Sequence, residues 1–201
     1  MYQIAIVIFD EFTDVDFYLM RDILGRGKDG WTVRVLGTKR EHRSSLGSTV
    51  QTDGHVREVA EADVVLLCSG YQGLPAALAD REFMSALALD PSRQLLGSIC
   101  AGSFILHHLG LLDGLKMTTH PDAKAHLEEL GGEVLDQALV VEGNIATAGG
   151  CLSTFYLTGW VAERLHGVDK RKAIHRQLLP AGQQDVFEGL ITSSLAAAAR
   201  H

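Results

Sequence analysis

The composition of the chain indicates a single globular protein and argues against two classes of partner. It has 201 residues, of which 46% are hydrophobic, with 21 glycines, four prolines and a net charge of −7. The acidic balance argues against non-specific binding to nucleic acid, which needs a basic face. No apolar run approaches the roughly 20 residues that a membrane span requires. We therefore expect one domain over residues 1–201 with one sizeable core.

The hydrophobic pattern predicts short buried strands that alternate with helices. Strands are predicted over residues 3–9, 31–37, 63–68, 94–99 and 115–118, with an edge strand or hairpin over 47–53 and a hairpin of 139–142 with 144–147. A first helix, capped by Thr13 or Asp14, ends at Gly25 and Gly27. Further helices are predicted over 76–87, 104–109, 122–130, 151–165, 169–179 and the Ala-rich C-terminal tail. This order predicts an α/β fold, a single-domain three-layer α/β/α sandwich with a mainly parallel, flavodoxin-like sheet.

The three cysteines are widely spaced and include no CxxC pair. Their odd number favours thiol chemistry in a reducing compartment over a disulfide framework or a zinc site. Since Met1 leads directly into a strand-like run with no visible signal peptide, we expect a cytoplasmic protein. His107 and His108 are adjacent on a predicted helix and point about 100° apart, so they make no ligand pair. We expect no cofactor and no catalytic metal.

Residues 95–110 read LLGSICAGSFILHHLG, with Cys100 between a buried strand and a helix. This is the sequence form of a nucleophile elbow, a tight turn that exposes the nucleophile above the sheet. Its pattern is a small residue, any residue, the nucleophile, any residue and a glycine. A thiol near a helix N-terminus is favoured as the thiolate by the helix dipole. The alternative is a buried structural cysteine, which is common for this residue type.

Several predicted strands end in residues that can do chemistry, and the carboxyl ends of parallel strands meet on one edge of a sheet. There Asp16 could transfer a proton to or from the Cys100 thiol, although an acidic residue in a first turn also simply stabilises a helix. The backbone N–H groups of Gly70, Tyr71 and Ala101 could stabilise a developing negative charge. The competing interpretation is that the glycines at 70 and 73 only shape a turn.

Three further residues are candidates to line the same pocket, namely His120, Gly150 and Cys151. His120 could line the pocket, carry a proton or cap a helix, and taken alone it is interpreted as structural. Cys151 stands at a predicted helix N-terminus on the same edge and is the rival to Cys100 as the reactive thiol. Cys68 lies in an apolar strand and is expected in the core.

The motifs DVVLLCSGYQG, SICAGSFIL, KMTTHP and NIATAGGCLSTF, with Asp16 after the first strand, resemble the ThiJ/PfpI superfamily and its class I glutamine amidotransferase-like fold. The resemblance spans nearly the whole chain and implies an elbow cysteine, an acidic partner and a homodimer. The position of Asp16 resembles the isonitrile hydratase branch, which implies a hydro-lyase acting on a small-molecule substrate. The resemblance implies that Cys100 attacks the isonitrile carbon, that Asp16 is the acid/base and that Gly70 and Ala101 supply backbone N–H donors. Water would then release an N-substituted formamide.

The chain also departs from relatives in ways that bear on the reaction. Ala101 stands where the hydratases carry a hydroxyl side chain, and FYLMRD after Asp16 replaces their pattern of small residues and proline. The protease-like members carry a histidine directly after the cysteine, and Ala101 occupies that position here. Peptidase chemistry is therefore disfavoured, and no His-x-Glu element of a glutamine amidotransferase triad is found late in the chain. A glyoxalase or deglycase-like reaction on reactive aldehydes would use the same two groups. A non-catalytic redox sensor that oxidises Cys100 to a sulfinate is the remaining alternative.

Overall fold

The computed structural model describes residues 1–198. Within this range, seven strands form one central sheet in the order β10-β11-β7-β6-β1-β2-β5. Its neighbours pair in parallel except β10 and β11, which form the antiparallel hairpin predicted around Gly143. The strands of the chain, in order, are β1 (Tyr2–Val7), β2 (Trp31–Gly37), β3 (Glu41–Arg43), β4 (Thr49–Gln51), β5 (Gly54–His55), β6 (Val64–Leu67), β7 (Leu95–Ile99), β8 (Lys116–Met117), β9 (Glu133–Val134), β10 (Leu139–Glu142) and β11 (Ile145–Ala148).

Helices cover both faces of this sheet. They are α1 (Asp14–Gly25), α2 (Leu74–Ala79), α3 (Arg81–Ala86), α4 (Ser103–His108), α5 (Lys124–Glu129), α6 (Thr154–His175) and α7 (Gln184–Ala198). Short 3₁₀ helices precede α4 at Cys100–Gly102, α5 at Pro121–Ala123 and α6 at Cys151–Ser153. Residues 199–201, the end of the predicted Ala-rich tail helix, lie outside the described residues.

Alternate residues of the strands build two separate cores, because successive side chains of a strand point to opposite faces. Ile4 and Ile6 of β1 pack in one core with residues of α1 and α6. Ala5 and Val7 of the same strand pack in the other core with residues of α3, α4 and α5. Strands buried on both faces explain the continuous β-branched runs in the sequence. The predicted three-layer α/β/α class with a mainly parallel sheet is confirmed.

Several predicted elements differ in the structure. The helix predicted over 76–87 is split into α2 and α3, because Asp80 has an extended backbone and its carboxylate accepts from the N–H groups that start α3. The strand predicted at 115–118 is the short β8, which pairs with β9 outside the central sheet. Residues 47–53 contribute β4 to a separate hairpin with β3. The two helices predicted between 151 and 179 are joined in α6, interrupted at Gly167, which has a positive φ of 81°.

The cap predicted for α1 also differs. Thr13 occupies the N-cap position, but its hydroxyl lies 3.1 Å from the Ser69 hydroxyl and makes no capping hydrogen bond with a helix N–H. Asp14 is not a cap either, because its carboxylate accepts from the Ser44 hydroxyl at 2.6 Å and from the Leu46 N–H at 3.1 Å. It therefore ties α1 to the β3–β4 turn. No helix within residues 1–198 has the length and apolar character needed to cross a membrane.

Candidate active site

Cys100 lies on a sharp turn at the carboxyl end of β7. Its φ is +51°, a left-handed conformation that residues other than glycine rarely adopt, and the 3₁₀ turn that it begins runs directly into α4. Gly102 completes the turn against the neighbouring strand end. A Cβ at that position would lie 2.8 Å from the Leu67 carbonyl oxygen and 2.9 Å from that of Cys68. The strand–turn–helix geometry predicted from the small residues is confirmed.

The backbone carbonyl of this turn is held by residues from the KMTTHP segment. The Thr119 hydroxyl donates to the Cys100 carbonyl oxygen at 3.1 Å, and the Ser103 hydroxyl donates to Thr119 at 2.9 Å. Both hydroxyl residues are buried. No role was predicted for Thr119 and Ser103, although both lie inside motifs that carry the family resemblance. They fix the elbow and thereby the direction of the Cys100 side chain.

Three chemically active groups from distant parts of the chain meet at the elbow. The Cys100 Sγ lies 3.7 Å from Asp16 Oδ1 and 3.7 Å from the Cys151 Sγ. Both distances fall within the range of hydrogen bonds that involve sulfur. One atom from each residue, a carboxylate oxygen or a thiol sulfur, lies within 4.8 Å of the other two, a grouping that could also hold a metal ion. The structure thus brings together the predicted nucleophile, the predicted acid and the rival thiol.

Asp16 is held in a fixed orientation by Ser69. The carboxyl group is fully buried in the first turn of α1, and the Ser69 hydroxyl donates to its Oδ2 at 2.7 Å. The Thr13 N–H in turn donates to the Ser69 carbonyl at 2.7 Å. With Oδ2 occupied, Oδ1 is the oxygen that faces the sulfur. Ser69 lies inside the DVVLLCSGYQG motif, but its role in orienting Asp16 is not visible in the sequence.

Burial controls the protonation of the sulfurs. Desolvation raises the pKa of Cys100 far above its ordinary value, and the negative charge of Asp16 raises it further. Burial and the Asp16 charge also raise the pKa of Cys151. The expectation of a free thiolate at Cys100 is therefore wrong, since burial and the Asp16 charge both favour the protonated thiol. In a catalysed reaction the Cys100 proton therefore moves to a neighbour as the sulfur attacks, and Asp16 Oδ1 is in place to accept it.

A cavity of about 300 Å³ opens onto Cys100. Its walls include Thr13, Ser69, Tyr71, Cys100, Ala101, His120, Asp122, Ala123 and Cys151. Cys100 itself is only 3% exposed, while Tyr71 is 83% exposed at the rim. The space suits a small molecule that reaches the sulfur from the solvent side, with Asp16 fully buried behind the wall.

His120 lines this cavity and also caps a helix. Its Nδ1 accepts from the Asp122 N–H at 3.2 Å, at the start of the 3₁₀ turn before α5. The Asp122 carboxylate lies 3.8 Å from the same nitrogen. Two of the roles open to His120 from the sequence, capping and pocket lining, are therefore combined in one residue. Because the cap occupies Nδ1, Nε2 is the nitrogen available for proton transfer.

The glycines of the site are explained first by close packing. A Cβ on Gly70 would lie 2.5 Å from the Glu11 carbonyl oxygen and 2.8 Å from the Phe9 ring. Gly150 has a positive φ of 89° directly before Cys151, so it sets the direction in which that residue enters the site. These facts account for the glycines whether or not they bind a substrate. The donor role of the Gly70, Tyr71 and Ala101 N–H groups stays a prediction.

Residues 2–164 match the sequence model of the DJ-1/PfpI family. Protein DJ-1alpha of Drosophila melanogaster is 29% identical over 170 residues, which cover 83% of this chain and 78% of the relative. Isonitrile hydratase of Pseudomonas putida is 25% identical over 177 residues, which cover 88% of this chain and 77% of the relative. The crystal structure of Drosophila melanogaster DJ-1beta has a TM-score of 0.79 at 24% identity, covering 90% of this chain and 98% of that chain. The resemblance read from the motifs is confirmed, and the solved structure shares the fold.

Proposed function

Because the chain belongs to the DJ-1/PfpI family, we propose that it is a cysteine-dependent enzyme acting on a small electrophilic molecule. Cys100 is the nucleophile and Asp16 the acid/base in this proposal. The observation that carries it is the separation of 3.7 Å between the Cys100 sulfur and an oriented, fully buried carboxylate, beside a cavity of about 300 Å³. A family relative named isonitrile hydratase is consistent with enzymatic activity.

The first chemical step follows from the high pKa of Cys100. A buried thiolate without a partner is unfavourable, so the S–H proton passes to Asp16 Oδ1 as the sulfur attacks the electrophilic carbon. Ser69 keeps the Asp16 carboxyl group oriented during this transfer, since the Ser69 hydroxyl donates to the other carboxylate oxygen, Oδ2. Asp16 then holds the proton that the covalent intermediate needs.

Hydration of an isonitrile fits this sequence of proton transfers. The sulfur adds to the isonitrile carbon, and the proton held by Asp16 moves to that carbon, giving a thioimidate on Cys100. Water then adds to the same carbon, with its hydroxyl bonding to the carbon and its other proton passing through Asp16 to the nitrogen. As the C=O bond forms and the C–S bond breaks, Asp16 moves the hydroxyl proton to the departing sulfur, which restores the Cys100 thiol. The product is an N-substituted formamide. In this proposal the N–H groups of Ala101, Gly70 and Tyr71 stabilise the negative charge that develops during addition.

A reactive 1,2-dicarbonyl aldehyde is the second candidate substrate, and His120 favours it. After the sulfur adds to the aldehyde carbon, conversion to a hydroxy acid requires a proton to move between two adjacent carbons. His120 and Asp122 line the same cavity as Cys100, so a second proton carrier is available in addition to Asp16. Ala101, which lacks the hydroxyl of the hydratases, removes a group that the isonitrile reaction would otherwise use.

The proposal is tested by assaying the purified protein against alkyl and aryl isonitriles and against 1,2-dicarbonyl aldehydes, with formamide and hydroxy acid measured as products. We expect turnover of one class by the wild type and none by Cys100→Ala. Cys68→Ala is the matched control, because it removes a cysteine from the core cluster and leaves the cavity wall intact. Absence of turnover of both classes by the folded wild-type protein would refute the proposal.

We also propose that the chain forms a homodimer through the exposed apolar residues around the start of α1. Val15 and Tyr18 project from α1, Leu46 lies in the turn that Asp14 binds, and Leu152 lies in the 3₁₀ turn that contacts α1. Sedimentation of the wild type at micromolar concentration is expected to give a dimer, and Leu46→Asp a monomer. Leu130→Asp, at an exposed leucine directly after α5, is the control and is expected to stay dimeric. A monomeric wild type would contradict this proposal.

The free thiols suit a reducing compartment, and we propose a cytoplasmic location. Fractionation of cells that produce the protein from its own gene is expected to recover it in the cytoplasmic fraction with Cys100 and Cys151 accessible to alkylation after unfolding. Recovery in an oxidising compartment would contradict the location.

A further inference from the structure

Cys151 touches the reactive sulfur, yet the proposed reaction gives it no chemical step. Its Sγ lies 3.7 Å from the Cys100 Sγ, and both thiols are free. We infer that Cys151 is a resolving cysteine, which converts Cys100 oxidised by a hydroperoxide into a reversible Cys100–Cys151 disulfide. This inference requires the two sulfurs and the cavity but no enzymatic substrate, so it goes beyond the proposed function.

The backbone around Cys151 presents its sulfur to Cys100. Gly150 turns the chain with a positive φ, and the 3₁₀ turn that follows is pinned by two side chains. The Ser153 hydroxyl donates to the Gly149 carbonyl at 2.6 Å, and the Thr154 hydroxyl donates to the Cys151 carbonyl at 2.6 Å. Since an S–S bond is about 2.05 Å long, the two sulfurs must approach by about 1.7 Å. Rotation of the two side chains about their Cα–Cβ bonds can supply most of a movement of that size.

The oxidation needs only the two thiols, the Asp16 carboxylate and one molecule of hydroperoxide. The Cys100 sulfur attacks an oxygen of the hydroperoxide and the O–O bond breaks. Cys100 becomes a sulfenic acid, and the thiol proton, passed through Asp16, leaves with the alkoxide as an alcohol, or as water if the oxidant is hydrogen peroxide. The Cys151 sulfur then attacks the Cys100 sulfur, the S–S bond forms, and the hydroxyl leaves as water with the Cys151 proton. Two thiols are oxidised by two electrons and one peroxide bond is reduced.

Contact between the sulfurs decides between a disulfide and a sulfinate. A sulfinate requires a second hydroperoxide to reach Cys100 from solution, whereas Cys151 is already beside it. Groups held in a reactive orientation behave as if present at effective concentrations of about 10⁵ M or more. Even a poorly aligned thiol therefore outcompetes micromolar peroxide. This outcome differs from the sulfinate expected when Cys100 is considered alone.

The Asp16 carboxylate assists the second step as well as the first. One of its oxygens lies within 4.8 Å of both sulfurs, so it can accept the Cys151 proton and pass it to the leaving hydroxyl. Asp16 also lies near the wall that Cys100 and Cys151 share, and both sulfurs line the cavity that admits the peroxide. Cys68 is fully buried in the core and does not line the cavity. The pair that the structure favours is therefore Cys100 with Cys151.

The test is titration of the reduced, metal-free protein with hydrogen peroxide, followed by intact-mass and peptide-mass analysis without reductant. Metal is removed first because a cation held by the two sulfurs would block the reaction. The wild type is expected to lose two hydrogens, to yield a linked peptide pair containing Cys100 and Cys151, and to recover both thiols with dithiothreitol. Cys151→Ser is expected to gain two oxygens at Cys100, and Cys100→Ser to stay unmodified at the same peroxide concentration. Cys68→Ala is the matched control and is expected to form the disulfide like the wild type.

Gain of two oxygens at Cys100 in the wild type, with Cys151 still alkylatable, would overturn the inference, as would a disulfide that joins two chains. The wild-type measurement alone decides the matter if a variant fails to fold. Failure of the proposed function gives a different pattern. In that case no isonitrile or aldehyde is turned over, while the reversible loss of two hydrogens is still observed. Cys151→Ser also separates the two thiols, because its turnover is expected to fall by less than about tenfold, roughly 1.4 kcal/mol.

Discussion

Replacement of Asp16 by asparagine is expected to have opposite effects on two properties of Cys100. The substitution keeps the size and hydrogen-bonding capacity of the side chain but removes its charge and its ability to accept the thiol proton. Asp16 is fully buried and its Oδ1 lies 3.7 Å from the sulfur. Turnover should therefore fall, while the thiol itself should become more reactive toward a simple alkylating agent.

The size of both effects can be worked from this distance. Two charges 3.7 Å apart interact by about 4.5 kcal/mol at an effective dielectric constant of about 20. Desolvation raises the pKa of Cys100 more than the Asp16 charge does, so loss of that charge recovers only part of this energy and lowers the pKa by about 1 to 2. The thiolate fraction at a fixed pH then rises about 10- to 100-fold. Because a weaker base is also a weaker nucleophile, the alkylation rate rises by about 3- to 12-fold.

Turnover by Asp16→Asn is expected to fall by about 10² to 10⁴-fold, the usual contribution of a general acid or base. That loss corresponds to roughly 3 to 5 kcal/mol in the activation barrier. The assays are kcat/KM for the substrate identified in the panel and the rate of iodoacetamide alkylation at pH 8, with Cys100 located by peptide mass. Thermal unfolding of each variant shows that the fold is retained.

Asp14→Asn is the matched control for the role of Asp16. Both residues lie in the first turn of α1, where a carboxylate stabilises the helix through its dipole. The Asp14 carboxylate binds the β3–β4 turn, and its loss is expected to cost about 1 kcal/mol of stability with no change in alkylation or kcat/KM. If Asp16→Asn behaves like Asp14→Asn in both assays, Asp16 is only a helix-stabilising residue and the reasoning is refuted.

Three further predictions follow from named contacts. Cys100→Ala should abolish turnover while lowering stability by only about 1–2 kcal/mol, and residual turnover in the folded variant would transfer the nucleophile to another residue. Gly102→Ala should reduce turnover and lower the free energy of unfolding by about 1–3 kcal/mol, because the new Cβ meets the Leu67 and Cys68 carbonyl oxygens. Gly189→Ala is its control, since open space surrounds the new Cβ, and it should be neutral or stabilising in denaturant unfolding. Burial, aided by the Arg171 charge, lowers the pKa of His175 from 6.5 to about 4. As the pH falls, the unfolded chain therefore binds the proton first, and up to about 3 kcal/mol of stability present above pH 6.5 should be lost by about pH 4. His175→Gln should make the free energy of unfolding depend less on pH in that window. An unchanged pH dependence would contradict the role given to His175.

The elements that could be predicted from the sequence are those dictated by local pattern. The β-branched runs of β1, β2, β6 and β7 identified strands buried on both faces, and their alternation with helices gave the layer order. The small residues around Cys100 predicted the elbow, since only a tight turn requires them. Parallel pairing then brought the ends of these strands, and so Asp16 and Cys100, to one edge.

The side-chain orientations and the pKa shift at the site depend on tertiary contacts that no local sequence pattern encodes. The orientation of Asp16 is set by Ser69, which is 53 residues away along the chain. The contact of Cys151 with Cys100 depends on the backbone direction at Gly150. The direction of the Cys100 pKa shift follows from burial and from the Asp16 charge, neither of which the local sequence around the elbow shows. Asp14 was misassigned for the same reason, because its partners lie in the turn between β3 and β4, about 30 residues away along the chain.

The central claim is that Cys100 forms the covalent bond to the substrate while Asp16 carries the proton. Rapid quenching of the enzyme during turnover, followed by peptide mass analysis, tests it most directly. We expect the substrate-derived mass on the peptide that contains Cys100, with slower formation of the adduct in Asp16→Asn because that side chain cannot accept the thiol proton. An adduct on Cys151, or steady turnover with no adduct at any quench time in either protein, would contradict the claim.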